Sequence, residues 1–230
     1  IKNRDATDQH CLFDSVRGAT KVIHADGVTA ESTDTDTLDS FTSDGFQVDA
    51  DVKVNTDAEK YVAWCWKAGT TGTDLSAGDI TPSASNINTT SGIGMYAWAG
   101  TNTADQTLAH GLGAVPKMML FKGTSESYNW YMYHVGMGNT HTMKLNTNQA
   151  QEAFIQYWQN TDPTSTLYTT GTYINTGTTA IMTYAWTDKQ GFSKFGTYEG
   201  NGNADGAFVY TGFRPAFVMT KSIDSTSSWH

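Results

Sequence analysis

A serine with a histidine and an aspartate close in sequence is the first grouping in this chain that could do chemistry. Ser15 lies in FDSVRG, beside Asp14 and near His10. Hydrolysis by such a trio needs contact between base, nucleophile and orienting acid, which is a matter of geometry rather than sequence distance. The GxSxG elbow of serine hydrolases is absent. The histidines (His10, His24, His110, His134, His141, His230) show no HxxxH or HExxH spacing, and there is no CxxC, so a zinc site is not indicated. Two acidic runs are better candidates for a metal. Asp34, Asp36 and Asp39, then Asp49, Asp51, Asn55 and Asp57, set hard oxygens at alternating positions, which suits calcium. Neither run has the glycine and glutamate of a helix-loop-helix calcium site, so Asp34, Asp36, Asp49 and Asp51 are weak calcium candidates beside the default of solvated loops.

Glycoside hydrolysis needs two carboxyl groups about 5–10 Å apart. Residues 92–190 hold only Asp105, Glu126, Glu152, Asp162 and Asp188, none of them in a recurring aromatic motif. Aromatic side chains remain. A sugar site is a concave apolar surface with a few polar groups. Trp98, Trp130, Tyr133, Trp158 and Tyr168, with Asn129, Asn139 and Asn146, have the right chemistry. Trp158, Tyr168, Trp98 and Asn139 are the ligand-contact expectations, with Trp158 and Tyr168 foremost because their surroundings are polar.

The elements that would position these residues read as strands. MMLFK (118–122) and AFVMTK (216–221) follow Pro116 and Pro215, a strand-entry position where a missing N–H costs no ladder bond. YNWYMYH (128–134) and FVYTGF (208–213) are aromatic-rich strands. YVAWCWK (61–67) and AIMTYAW (180–186) read as strands covered on both faces. Turn clusters of Gly, Asn, Asp, Ser and Thr separate them. Short strands with frequent turns predict an antiparallel sandwich or barrel. Only NQAQEAFIQYWQN (148–160) has helical spacing, through Ala150, Ala153, Phe154, Tyr157 and Trp158.

The chain also repeats itself. Gly92/Gly191, Tyr96/Phe195, Asn102/Asn201, Gly113/Gly212, Pro116/Pro215, Lys122/Lys221 and Trp130/Trp229 are 99 apart (191 − 92). Lys2/Lys122, Phe13/Tyr133, Gly18/Gly138, Asn55/Asn175, Tyr61/Ile181 and Trp66/Trp186 are 120 apart (122 − 2). The expected organisation is a partial unit (1–69), a Ser/Thr/Gly linker (70–91), a complete unit (92–190) and the opening of another (191–230), a window on a tandem array. The fold class expected is all-β: tandem antiparallel β-sandwich units, jelly-roll or lectin-like, with at most a short helix per unit. Asp14, Ser15, Cys11 and Cys65 do not recur, so the fold does not depend on them. The two cysteines are not a disulfide framework and read as buried thiols, with a bridge inside the first unit left open.

Charged residues make up 16% of the chain and the net charge is −9. Residues 1–60 carry 13 acidic and 6 basic side chains. Such a surface repels phosphate backbones, which excludes nucleic acid as a natural partner. No run of apolar residues is long enough to span a bilayer, so membrane insertion is not expected. No signal peptide is visible, and Ile1 reads as an internal position.

The strings IKNRDATDQHCLFDSVRGATK, YVAWCWKAGTTGT, HGLGAVPKMMLFK, GFSKFGTYEGNGNADGAFVYTGFRPAFVMTK and DSTSSW resemble a family of repeated domains in tail or fibre-type virion proteins of marine phages and prophages. The resemblance covers nearly the whole chain. It implies a β-sandwich and a structural or adhesin role at the virion surface, and it carries no catalytic residues. The function expected is that of a tail-fibre or decoration segment that binds host-surface polysaccharide, contacts other virion proteins and forms homo-oligomers, with repetition raising avidity. No cofactor is expected apart from the calcium already weighed. The rivals are a fibre depolymerase or esterase, and a ligand-free spacer or capsid component.

Overall fold

The computed structural model describes residues 1–69 and 73–230. Its strands, in chain order, are β1 (Lys2–Asn3), β2 (Cys11–Asp14), β3 (Gly18–His24), β4 (Ser32–Thr33), β5 (Leu38–Phe41) and β6 (Phe46–Val48). One helical turn, α1 (Val52–Asn55), and β7 (Tyr61–Val62) follow. Then come β8 (Ala84–Asn88), β9 (Ile93–Ala99), β10 (Gln106–Ala109), β11 (Met118–Gly123), β12 (Tyr131–His134), β13 (His141–Lys144), β14 (Glu152–Ala153), β15 (Leu167–Thr170) and β16 (Ala180–Trp186). The fold is all-β and its sheets are antiparallel.

The main sheet has seven strands in the order β14-β13-β12-β11-β16-β9-β8. The two central strands explain why their sequences are almost wholly apolar. On β16, Ile181 and Ala185 join a core on one face, while Met182, Tyr184 and Trp186 join a core on the other. The first core lies between this sheet and the β10–β15 pair, and it takes in Leu75, Ile80, Trp98, Leu108, Phe121, Trp158 and Tyr168. The second core is closed by the N-terminal strands through Leu12, Val16 and Ile23, and by Phe195, Ile223 and Trp229 from the C-terminal segment. A sheet with both faces covered excludes water from its ladders and from the aromatic side chains between them.

The strand registers agree with the 120-residue offset. Lys2↔Val62 and Asn3↔Tyr61 correspond to Lys122↔Met182 and Gly123↔Ile181. Cys11↔His24 and Leu12↔Ile23 correspond to Tyr131↔Lys144 and Met132↔Met143. Lys21↔Thr33 corresponds to His141↔Ala153.

Three expectations need correction. Residues 148–160 form no helix; Glu152–Ala153 pairs with β13, and Tyr157 donates to the Phe154 carbonyl in a turn. Tertiary pairing overrides the helical spacing because Trp158 and Tyr157 are drawn into the first core from a loop. Of the expected linker, residues 70–72 lie outside the described residues. The rest belongs to the sandwich: Leu75 and Ile80 are buried, and Ala84–Asn88 is the edge strand β8. Finally, 208–213 and 216–221 form no strand, although Thr220 exchanges backbone hydrogen bonds with His230, and β7 ends at Val62.

Candidate functional site

Asp14 is held by four donors. Its Oδ1 accepts from the backbone N–H groups of Val16 and Arg17, each at 2.9 Å. Its Oδ2 accepts from Arg17 Nε and from the Tyr184 hydroxyl, each at 2.6 Å. Arg17 also donates to the carbonyls of Lys21 and Leu12 and to Glu31. Burial alone would lower the guanidinium pKa, yet the surrounding groups, including Asp14 and Glu31, outweigh it and keep Arg17 charged. Ser15 Oγ, rather than facing a base, accepts a 2.6 Å hydrogen bond from Asn86 Nδ2. His10 is tied through its backbone to Asp26. Asp14 and Ser15 therefore join the N-terminal strands to the main sheet through Tyr184 and Asn86, so the expectation that the fold does not depend on these two non-recurring residues is corrected, and the trio is not an assembled nucleophile.

The calcium candidates also find other partners. Lys53 Nζ lies 2.7 Å from Asp51 Oδ2 and 3.5 Å from Asp34 Oδ2. An ammonium thus occupies the position a cation would need. Burial would raise the Asp51 carboxyl, but the bonds from Lys53 outweigh it and hold it below the usual range. Asp36 joins this group through its backbone, its carbonyl accepting from Asp51 N and its N–H donating to Asp34 Oδ1, while Asp49 N donates to the Thr37 carbonyl beside it. Among the described residues, no three metal-binding side chains gather in one place. Cys11 is buried, Cys65 is exposed, and both are free thiols, so no bridge joins them. Burial pushes the Cys11 thiol up to about 11.

The aromatic expectations are corrected by burial. Trp158 and Tyr168 are each 1% exposed and Trp98 is 2% exposed. Their ring faces are spent on one another's neighbourhood: Phe121 lies 5.2 Å from Trp158 and 5.7 Å from Tyr168. Trp98 Nε1 donates to Thr183 Oγ1 and Trp158 Nε1 to the His141 carbonyl, so even their polar atoms are satisfied inside. Asn139 Nδ2 holds the Asn160 carbonyl across a loop. Asn146 accepts from Trp130 N and donates to Asn129. Trp130 is wholly buried and donates to the His24 carbonyl, in keeping with a structural role for the recurring tryptophan.

An aromatic patch does reach the surface elsewhere. Phe154 and Tyr173 meet edge to face at 5.2 Å, both half-exposed, with Ile155 beside them. Tyr157 supports the pair from below, at 5.7 Å from Phe154 and 5.3 Å from Tyr173, and Tyr131 lies under Tyr157. A polar rim adjoins them. Glu152 accepts from Tyr157 Oη at 2.5 Å and pairs with Lys144 Nζ at 2.8 Å, and that ammonium sits 5.9 Å over the Tyr131 ring. Burial would raise the Glu152 carboxyl, but the bonds from Lys144 and Tyr157 outweigh it and keep it anionic. An amphipathic ring pair beside a carboxylate and an ammonium offers stacking, C–H contact and charge-assisted hydrogen bonds to a polyhydroxylated ligand.

The counterparts of this patch at the 120-residue offset are Asp34 for Phe154, Lys53 for Tyr173, Cys11 for Tyr131 and His24 for Lys144. The pairing persists while its chemistry changes: an ion pair at Asp34–Lys53, an aromatic pair at Phe154–Tyr173. The helical spacing of 148–160 hides the patch from sequence reasoning, because on a helix Phe154 faces inward. The available signal was the charged-to-aromatic change at both offset positions.

No curated protein and no solved structure matches the chain. The family described as "Domain of unknown function (DUF7483)" matches residues 1–230.

Proposed function

Since the chain belongs to the DUF7483 family, a domain of unknown function, its role has to be argued from its own surface, and we propose a structural and adhesive module of a phage particle. In this reading the β-sandwich is the scaffold. The Phe154–Tyr173 patch is the contact with host-surface polysaccharide. The observation that carries it is the contrast between fixed registers and a changed surface. The β11–β16 and β12–β13 registers have counterparts in β1–β7 and β2–β3, whereas the site at 154 and 173 has exchanged an ion pair for two aromatic rings. A surface that changes on an unchanged scaffold is what recognition requires. The phage setting rests on the sequence resemblance. Two half-exposed rings suit weak contacts multiplied by valency.

The test is adsorption of fluorescently labelled protein to host bacteria before and after periodate oxidation of their surface glycans. Retention that periodate abolishes supports the proposal. Retention indifferent to periodate, or cleavage of the polysaccharide by the purified protein, defeats it.

A further inference from the structure

Residues 191–229 are the counterpart, at the 99-residue offset, of 92–130, and residues 2–66 are the counterpart, at 120, of 122–186. The first carries sequence corresponding to β9, β10 and β11, the second to the strands from β12 to β16. Each exposes what the complete unit buries. Val218 is 63% exposed where its counterpart Met119 is 1% exposed. Trp66 is 50% exposed where Trp186 is 8% exposed. Met219 and Trp64 stand in the same contrast to Leu120 and Tyr184. In the complete unit these residues cover one another, because β11 lies beside β16 with Met118↔Trp186, Met119↔Ala185 and Leu120↔Tyr184 opposed.

The C-terminal segment is already anchored close to the strand it would need. Glu31 N donates to Thr124 O and Tyr128 N to Val28 O, joining the N-terminal strands to the complete unit. The corresponding bonds are present at the other end: Gln151 N to Ile223 O and Ser227 N to Asn148 O. Glu31 and Val28 match Gln151 and Asn148 at the 120-residue offset, and Thr124 and Tyr128 match Ile223 and Ser227 at the 99-residue offset. Ile223 and Trp229 pack on the same core as Leu12, Val16 and Ile23. Phe217 already meets Trp64 edge to face at 6.1 Å.

We infer that residues 217–219 dock within the same chain alongside 64–66, as the ladder partner that extends β7 beyond the place held by Ile1. The register is Phe217↔Trp66, Val218↔Cys65 and Met219↔Trp64, continuing the Lys2↔Val62 pairing of β1. Residues 217–219 thus supply the strand positions that precede Ile1 in the register, while Ile1 stays paired with Cys11 and Thr220 with His230. The occupant is the chain's own C-terminal segment. A second copy of the chain is the competing occupant, and the adhesive reading is not involved either way.

Cys65 makes the register testable. Residues directly opposed in an antiparallel pair have Cα atoms about 4.5–5.5 Å apart, within disulfide reach. Val218→Cys should form a disulfide with Cys65 inside one chain under mild oxidation, found as a 65–218 linked peptide in monomeric protein. Val209→Cys, outside the proposed strand, should not. A disulfide between two chains would transfer the site to a second copy. Absence of any disulfide, or equal yield from Val209→Cys, would overturn the inference. Unmodified protein gives an independent reading. Cys65 should be alkylated at least about tenfold more slowly in the folded chain than in urea, because a paired strand must open first. Val218→Asp should restore the fast rate. Fast alkylation of folded wild-type protein would contradict the docking.

Discussion

Asp14→Asn should be among the most damaging single-atom changes available to this protein. Every group aimed at the Asp14 carboxylate is a donor: two backbone N–H groups, Arg17 Nε and the Tyr184 hydroxyl. An asparagine in either amide orientation therefore points an NH2 group at donors. The Arg17 and Asp14 side chains are 6% and 2% exposed, so the charge left behind is not rescued by water. Breaking a buried pair by removing one partner costs about 3–5 kcal/mol. Glu31 remains 3.2 Å from Arg17 Nη1 and still compensates part of its charge, which places the cost near the lower end, about 3 kcal/mol. For a chain of this size each kcal/mol moves the melting temperature by about 2–4 °C, so Asp14→Asn should melt roughly 6–12 °C early. Tyr184→Phe should cost about 1.5–3 kcal/mol, the loss of one hydrogen bond to a charged acceptor. Since both changes act on one oxygen, the double variant should fall short of the sum by at least about 0.5 kcal/mol. Urea denaturation of the four proteins measures this. A loss below about 1 kcal/mol for Asp14→Asn, or strict additivity, would refute the joint between the N-terminal strands and the main sheet.

Acid should destabilise the fold through its histidines. Burial lowers the pKa of His110 and His134, and each accepts a backbone N–H at Nδ1, from Leu112 at 3.2 Å and Gly136 at 3.1 Å. With folded values below the unfolded value of about 6.5, the unfolded chain binds more protons, so stability is full above that pH and falls as pH drops through and below it. Melting temperatures from pH 7.5 to 5 should decline and His110→Gln should flatten the decline; a profile unchanged by that substitution would show that His110 contributes nothing. Trp158→Ala should cost about 3–5 kcal/mol in chemical denaturation, as removal of a fully buried indole does, and a loss under about 1 kcal/mol would mean that the ring is not in the core.

The fold was legible where a strand's own composition decided its fate. AIMTYAW and MMLFK are apolar on both faces, and both became central strands of the main sheet. The matched Lys, Trp and Gly positions gave offsets that the β2–β3 and β12–β13 registers also follow. What could not be read was which aromatic faces solvent. Trp158 sits among Gln, Asn and Thr in sequence yet is enclosed, because the chain turns there and delivers the ring beneath β13. Phe154, four residues earlier, is half-exposed for the same reason. Periodicity reports a face only when the segment is regular, and 148–160 is not. The apparent linker failed similarly: Leu75 and Ile80 are too few to register as a pattern but fill one edge of the first core.

Titration calorimetry with purified surface polysaccharide of the host bacterium tests the adhesive claim most directly. Phe154→Ala and Tyr173→Ala remove half-exposed rings and should leave the melting temperature within a few degrees. Each should weaken binding roughly tenfold, the equivalent of about 1.4 kcal/mol. Phe41→Ala, which removes an exposed ring on a different hairpin, should leave binding unchanged. Equal affinity in wild-type protein and the Phe154→Ala, Tyr173→Ala double variant, or no binding by the wild type, would contradict the account.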